Sequence, residues 1–183
     1  MRNLTIQEVI KRLEYSNWDW SNQHGESKNQ LYRTIKGLWA EVALESILTT
    51  SGINPRRIEY GVGIPGIKKD IDALIFNKER IDAKSCNPYL HFNYLKPDNG
   101  KYYDWYFFYN IEFTCDFNKK KLTIDNCHDL LQVVNIKPVN VGYNVKFLHH
   151  SYVTPKISEP HHGNINEPEF IDIKEFVKIV CSL

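Results

Sequence analysis

The most regular pattern in the sequence lies at Lys69–Asn87, K-D-I-D-A-L-I-F-N-K-E-R-I-D-A-K-S-C-N. It contains two short runs, Asp70–Phe76 and Arg80–Ser85, in which apolar and polar residues alternate on either side of the polar turn Asn77–Glu79. Alternation with a period of two is typical of strands, because it puts successive side chains on opposite faces of a sheet. The stretch is therefore predicted to form a β-hairpin.

The polar positions of this hairpin bring opposite charges to one face. Asp70 and Asp72 share a face of the first strand, and Asp82 and Lys84 share a face of the second. If the strands pair, carboxylates and an ammonium meet on one patch, which suits a divalent metal beside an anionic substrate. The alternation leaves Asp70 and Asp72 as alternatives for the first strand, and we prefer Asp72 because it pairs more closely across the short turn.

A long helix is predicted from Ser27 to about Thr50, before the breaker Ser51-Gly52. Apolar residues recur along it at helical spacing, which indicates a core-facing stripe. These residues are Leu31, Ile35, Leu38 and Val42. Glu41 and Glu45 lie one turn apart on the flank of the stripe, where a carboxylate usually needs a partner such as a metal or a base. A solvated helix edge is the alternative interpretation.

The remaining segments predict the layers around the hairpin. Trp105–Thr114 is apolar on both faces, as in an interior strand that is covered on both sides. Asn144–Val153 is predicted to be a further strand, and shorter helices are predicted at Thr5–Glu14 and from an Asp172 cap to about Cys181. This order predicts an α/β fold with a central mixed β-sheet flanked by helices.

Composition limits the class of protein. The chain of 183 residues, 42% hydrophobic and 25% charged, fits a single globular domain over 1–183. A net charge of +1 does not favour a polyanionic partner for the protein as a whole, so any nucleic-acid surface must come from local clustering. Four widely spaced cysteines and the lack of a signal peptide or an apolar run near 18 residues predict a reduced, cytoplasmic protein without a membrane span.

Two further motifs are weaker. His149-His150 and His161-His162 suggest zinc, but adjacent residues of a strand point to opposite faces and no helical His pair is present. Surface or DNA-facing histidines are the preferred interpretation. The glycine-rich run Gly61–Gly66 neither follows a clear strand nor opens a helix, which argues against a dinucleotide-binding loop.

Taken together, these motifs resemble the PD-(D/E)XK nuclease superfamily, best known from type II restriction endonucleases. G-L-W-A-E, ending at Glu41, sits where that family has its helix glutamate. D-I-D-A-L-I, with Asp72, and I-D-A-K, with Asp82 and Lys84, sit where the family has its hairpin motif. The matching span, about residues 31–115, covers nearly half of the chain. The chain departs from the common pattern in having Lys69, not Pro, before Asp70, and Asp where Glu is more usual at position 82.

The resemblance implies a restriction-endonuclease-like core and Mg²⁺-dependent hydrolysis of DNA phosphodiester bonds. Asp72, Asp82 and the backbone carbonyl of Ala83 would bind the metal. Lys84 would orient or deprotonate the attacking water, and Glu41 would hold metal-bound water or a second metal from the helix side. Glu45 remains the alternative to Glu41.

The resemblance also implies double-stranded DNA as the substrate and a homodimer as the usual assembly. The polar and aromatic segments 87–103 and 154–167 carry side chains suited to base edges or stacking, and are possible DNA-recognition loops. The individual DNA-binding residues stay unknown. Alternatives are a structure-specific or repair nuclease of the same superfamily, a non-catalytic nucleic-acid-binding module, or an unrelated α/β protein.

Overall fold

A computed structural model describes residue 9 and residues 27–58, 71–86, 95, 103–117, 134–155, 163–165 and 169–182. In chain order, the elements are helix α1 (Ser27–Thr50), β1 (Arg56–Ile58), β2 (Ile71–Ile75), β3 (Glu79–Lys84), β4 (Trp105–Phe117), β5 (Val134–His149), a 3-10 turn (His150–Tyr152), β6 (Val153–Pro155), β7 (Gly163–Ile165) and α2 (Ile173–Val180). Val9, in the segment predicted as a first helix, is helical and buried, and the rest of that segment lies outside the described residues.

The main sheet has five strands in the order β1-β2-β3-β4-β5. β1, β2 and β3 are antiparallel neighbours, β4 runs parallel to β3, and β5 is antiparallel to β4. The predicted α/β character and mixed sheet are therefore confirmed. β6 and β7 form a separate two-stranded sheet.

Helix α1 has the bounds that its sequence predicts, and the described positions of its predicted stripe are buried, whereas the side chain of Leu31 lies outside the described residues. Ile35, Leu38 and Val42 are buried, and Trp39 adds bulk to the same interface. The helix ends where Gly52 adopts a positive φ of 82° and the N–H of Ile53 donates to the carbonyl of Leu48 at 2.9 Å. In the described part of the chain, no helix is long and apolar enough to cross a membrane.

β4 is an interior strand buried on both faces, as predicted. Its alternate residues Phe107, Tyr109, Ile111 and Phe113 belong to the larger core cluster beneath α1. Tyr106 and Phe108 belong to a smaller cluster on the opposite face. Because successive side chains of a strand alternate, one strand supports both layers.

Both described helices pack on the same face of the sheet. Phe176 of α2 stacks on Phe147 of β5 with ring centroids 4.0 Å apart, inside the cluster that α1 covers. The opposite face of the sheet, on the side of Asp72, is covered by the smaller core cluster. This cluster includes Leu95 and Val153. The cap predicted at Asp172 is present, since its Oδ1 accepts from the N–H of Glu175 at 3.0 Å.

β5 is longer at its start than predicted. It begins at Val134 and not at Asn144, and it includes Lys137 and Pro138. Proline is tolerated there because β5 is an edge strand and its register with β4 shifts near Phe113, which pairs with Pro138. The strand also ends at His149, where a 3-10 turn begins.

The hairpin forms as predicted, with its turn one residue earlier. The N–H of Lys78 donates to the carbonyl of Ile75 at 3.0 Å, and the residues between them, Phe76 and Asn77, have φ of 53° and 55°. Positive φ at both central positions is the requirement of a type I′ turn. A bulky residue such as Phe76 adopts this backbone only at a cost.

Candidate active site

The β2–β3 ladder ends just before the acidic residues of the motif. The paired residues run from Ile75 and Glu79 at the turn to Ala73 and Ile81. One residue further, the Oδ2 atom of Asp72 accepts a hydrogen bond from the backbone N–H of Ala83 at 2.7 Å. A backbone N–H at the end of a ladder needs an acceptor, and the Asp72 carboxylate provides it. Asp72 is therefore held against the backbone of β3.

Asp82 and Lys84 form an ion pair along β3. The Nζ atom of Lys84 lies 2.5 Å from the Oδ2 atom of Asp82, and their side chains are 28% and 12% exposed. In the parallel ladder these residues pair with Phe108 and Tyr106, so they lie on the face of the smaller core cluster. The apolar neighbours limit solvent screening, which strengthens the pairing of the two charges.

Asp72 has an unusual electrostatic environment. Burial, then the charge of Asp82, then the charge of Glu41 raise the pKa of Asp72 well above its ordinary value. The N–H of Ala83 and the charge of Lys84 lower this pKa, but only in part. Negative charge at this point is therefore incompletely compensated by the residues around it.

Lys84 is held in its charged form. Burial by itself lowers the pKa of Lys84, but the charge of Asp82, the hydrogen bond to it and the charge of Asp72 raise it above the ordinary value. The ammonium therefore keeps its proton at neutral pH. It can donate hydrogen bonds to an anionic oxygen, and it does not serve as a proton acceptor while these carboxylates are ionised.

The structure separates the two glutamates of α1. Glu41 pairs with Arg57 of β1, with Oε2 and Nη1 2.9 Å apart, and its charge acts on Asp72. Glu45, one turn further along α1, is exposed. The charge of Glu41 therefore acts on the cluster. Asp70, the alternative to Asp72, lies outside the described residues.

The donor set of the cluster is compatible with magnesium, although it is sparse. In the described part of the chain, no group of three or more His, Cys, Asp and Glu side chains is placed to hold a metal ion. The metal ligands expected from the resemblance are two carboxylates, of Asp72 and Asp82, with the carbonyl of Ala83. Mg²⁺ commonly takes one or two carboxylates and completes its coordination with water and substrate phosphate. These oxygens fit that pattern, and the neighbouring negative charges of Asp82 and Glu41 favour a cation beside Asp72.

The histidine pair of β5 differs from its predicted arrangement. The rings of His149 and His150 lie 4.3 Å apart and do not point to opposite faces. The reason is that β5 ends at His149 and His150 begins the 3-10 turn, so strand alternation does not apply. The His161-His162 pair, the Gly61–Gly66 run and most of the two possible recognition loops lie outside the described residues.

Sequence patterns did not single out a second polar group at the other end of β3. The Nε and Nη2 atoms of Arg80 donate to the two carboxylate oxygens of Asp104 at 2.8 and 2.9 Å. Nearby, the Nε1 atom of Trp105 donates to the Oε2 atom of Glu79 at 3.1 Å. Glu79 belongs to the predicted polar turn, and its burial at 8% exposure follows only from the packing of β4 beside β3.

No protein-family model matches this chain, and no match was found among curated proteins or solved structures. Function is therefore inferred from the geometry of the chain itself.

Proposed function

We propose that this protein is a Mg²⁺-dependent, site-specific endonuclease of double-stranded DNA, of the PD-(D/E)XK type and most like a type II restriction enzyme. The observation that carries this proposal is the convergence of Asp72, Asp82 and Lys84 where the β2–β3 ladder ends. The order of elements supports a restriction-endonuclease-like core. A helix precedes three antiparallel strands, and the third of these strands has a parallel neighbour.

The residues match what hydrolysis of a phosphodiester requires. Mg²⁺, held by Asp72, Asp82 and the Ala83 carbonyl, would neutralise charge on the phosphate and polarise a water molecule. Asp72 is already fixed by its hydrogen bond to Ala83, so little side-chain freedom would be lost on binding. Asp82 would exchange part of its contact with Lys84 for the cation.

Lys84 supplies the positive charge of the cluster. Because its raised pKa keeps the ammonium protonated, Lys84 would donate to a phosphate oxygen or orient the attacking water. Of the two roles expected for this residue, orientation is favoured over deprotonation. Removal of the ammonium should therefore abolish cleavage while the rest of the cluster remains.

Glu41 contributes from α1 through its charge. α1 packs on the sheet face opposite to the side chains of Asp82 and Lys84, and Arg57 holds Glu41 in place. Its negative charge raises the pKa of Asp72, so it increases the attraction of the cluster for a cation. We assign Glu41 this supporting role.

The test compares wild type with Lys84→Ala on long unmethylated DNA, with Mg²⁺ and with EDTA. Lys178→Ala, which removes an exposed lysine of α2, is the matched control. We expect discrete fragments that require Mg²⁺ from wild type and from the control, and intact DNA with Lys84→Ala. Circular dichroism of the three proteins confirms that each is folded.

Other outcomes distinguish the alternatives. A Mg²⁺-dependent smear would favour a structure-specific or repair nuclease of the same superfamily. Intact DNA with a mobility shift that Lys84→Ala leaves unchanged would favour a non-catalytic binding module. If the protein neither cleaves nor binds any of several DNA templates, the nuclease proposal is overturned. The homodimer and the cytoplasmic location stay predictions, and sedimentation equilibrium tests the first.

A further inference from the structure

A cavity of about 470 Å³ lies beside the turn end of the hairpin. Charged, aromatic and aliphatic residues line it, namely Lys78, Glu79, Asp104, Trp105, His149, Ser151, Tyr152, Glu169, Ile171 and Ile179. Its volume is in the range of pockets that bind small molecules. None of these residues belongs to the candidate active site.

The cavity and the candidate active site lie toward opposite ends of β3. Glu79 begins the strand, whereas Asp82 and Lys84 follow it by three and five residues. At about 3.3 Å per residue, these separations correspond to roughly 10 and 16 Å. A ligand in the cavity would therefore occupy a different place from a phosphodiester at the cluster.

Glu79 is the polar anchor of the cavity. It is 8% exposed, and its Oε2 atom accepts the Trp105 indole N–H at 3.1 Å. Its Oε1 atom has Lys78 Nζ at 3.8 Å, beyond hydrogen-bond distance, and the Lys78 side chain is 65% exposed. A carboxylate accepts up to four hydrogen bonds, so Glu79 retains acceptor capacity in a side chain that is only 10% exposed.

The other polar residues leave the cavity short of positive charge. Glu169 accepts from the hydroxyl of Tyr152 at 3.1 Å, and Asp104 is neutralised by Arg80. Burial and the neighbouring His150 lower the pKa of His149, so its ring is neutral at pH 7. Among the described residues that line the cavity, Lys78 is the one lysine or arginine, whereas Glu79 and Glu169 both supply carboxylates.

The remaining walls are apolar and aromatic. Trp105 is buried and meets the ring of His149 edge-on at 4.9 Å, and Ile171 and Ile179 complete this side. Aromatic walls next to carboxylates favour cations with a flat, weakly hydrated head group. Anions would meet repulsion from Glu79 and Glu169, and neutral rings would leave the buried Glu79 charge without a new partner.

We propose that this cavity binds a small organic cation with a planar amidinium or guanidinium group on an apolar body, with Glu79 as its anchor. The planar group donates two parallel hydrogen bonds to the Glu79 carboxylate, as in other bidentate pairs of this kind. The apolar body lies against Trp105 and the two isoleucines. The ligand displaces Lys78, whose contact with Glu79 is long and exposed. This proposal does not depend on the nuclease function.

Isothermal titration with three isosteric probes tests the ligand class. Benzamidine is a planar cation, benzamide is neutral, and benzoate is an anion of similar size. We expect benzamidine to bind at least about tenfold more tightly than either of the others, because only it forms the charged bidentate pair. Equal affinity for benzamide, tighter binding of benzoate, or no benzamidine binding would overturn the proposal.

Two substitutions with opposite expected effects test the anchor. Glu79→Gln should weaken benzamidine binding at least about tenfold, since the charged acceptor is lost. Lys78→Gln should strengthen binding by about two- to fivefold, because it removes the competing exposed ion pair. Glu45→Gln, at an exposed glutamate of α1, is the control and should bind as wild type does.

Because the two substitutions are expected to change benzamidine affinity in opposite directions, they distinguish a role in ligand binding from an effect on folding. A destabilised cavity would weaken binding in both the Glu79 and the Lys78 variants, so tighter binding by Lys78→Gln has no such explanation. If Glu79→Gln is poorly folded, the effect of Lys78→Gln on benzamidine binding still tests whether Glu79 is the anchor. Weaker binding by Lys78→Gln would show that Glu79 is not the anchor.

Discussion

The carboxylate of Asp72 and the backbone N–H of Ala83 form a hydrogen bond of 2.7 Å between adjacent strands. It lies immediately beyond Ala73 and Ile81, the last paired residues of the β2–β3 ladder. A strand pair would normally continue with backbone acceptors, and here a side chain takes that role. The bond fixes an acidic group in a position close to Asp82, where burial and the neighbouring charges penalise its ionised form.

Replacement of Asp72 by Asn should stabilise the protein and abolish cleavage. The pKa of Asp72 is raised in the folded state, so folding binds this proton and stability falls as pH rises from the ordinary value of 3.8 through the folded-state pKa. Asn retains an acceptor for Ala83 without the charge. We expect a gain of about 1–2 kcal/mol at pH 8 in denaturant unfolding with EDTA.

The gain should shrink toward zero as the pH falls below the ordinary value of 3.8, where Asp72 becomes protonated in both states. A gain that stays constant from pH 4 to pH 8 would show that packing, and not the charge of Asp72, is responsible.

Glu41→Gln should lower the pKa of Asp72. Glu41 is among the charges that raise this pKa, so its neutralisation favours the ionised form of Asp72. The measurement is an NMR titration of the Asp72 carboxyl carbon, identified by its loss in Asp72→Asn. Glu45→Gln, one turn further along α1 and exposed, should leave the titration unchanged. Equal shifts in the two variants would contradict the assignment of Glu41 to the cluster.

Asp104→Asn should destabilise the junction of β3 and β4. Burial raises the pKa of Asp104, but the side-chain and backbone hydrogen bonds from Arg80 outweigh it, and the net pKa is lowered. Because the folded-state pKa is depressed, this stabilisation is present above the unfolded-state pKa and is lost as pH falls through the folded-state value. We expect a loss of about 1–2 kcal/mol at pH 7, reduced for partial exposure.

The pH dependence distinguishes loss of this ion pair from a general packing defect. The loss of stability caused by Asp104→Asn should diminish below pH 4, where the Asp104 carboxylate becomes protonated. Asp172→Asn serves as the comparison, since Asn caps a helix as well as Asp does and should change stability little.

Phe76→Asn should stabilise the hairpin turn. Phe76 has a φ of 53° and is 56% exposed, so its side chain contributes little packing against this backbone cost. Asn adopts left-handed backbone more readily, and we expect a gain of about 0.5–1 kcal/mol in thermal or denaturant unfolding. Phe76→Ala tests the cause. Alanine has the same conformational penalty as phenylalanine, so a comparable gain from Ala would mean that exposure of the ring, not the backbone, is the reason.

Local periodicity was sufficient for the main elements. The alternation of Asp70–Phe76 and Arg80–Ser85 predicted β2 and β3 to within one residue, and the stripe from Ile35 to Val42 predicted the buried face of α1. These patterns are reliable because they report which side of a strand or helix is apolar, and that property is local. The first part of β5 was not predicted because it contains a proline. Proline argues against a strand unless the strand lies at a sheet edge, and only the sheet order shows that β5 does.

Local patterns in the sequence predict the hairpin, the long amphipathic helix and the acidic and basic residues of the motif. Three features follow only from the packing of distant segments: β4 lies parallel to β3, the ladder stops before Asp72, and the charge of Glu41 reaches Asp72. The same holds for Arg80 and Asp104, which are 24 residues apart in the chain. Periodicity gives the face of each element, whereas contacts between distant segments depend on which elements pack together and where their pairing ends.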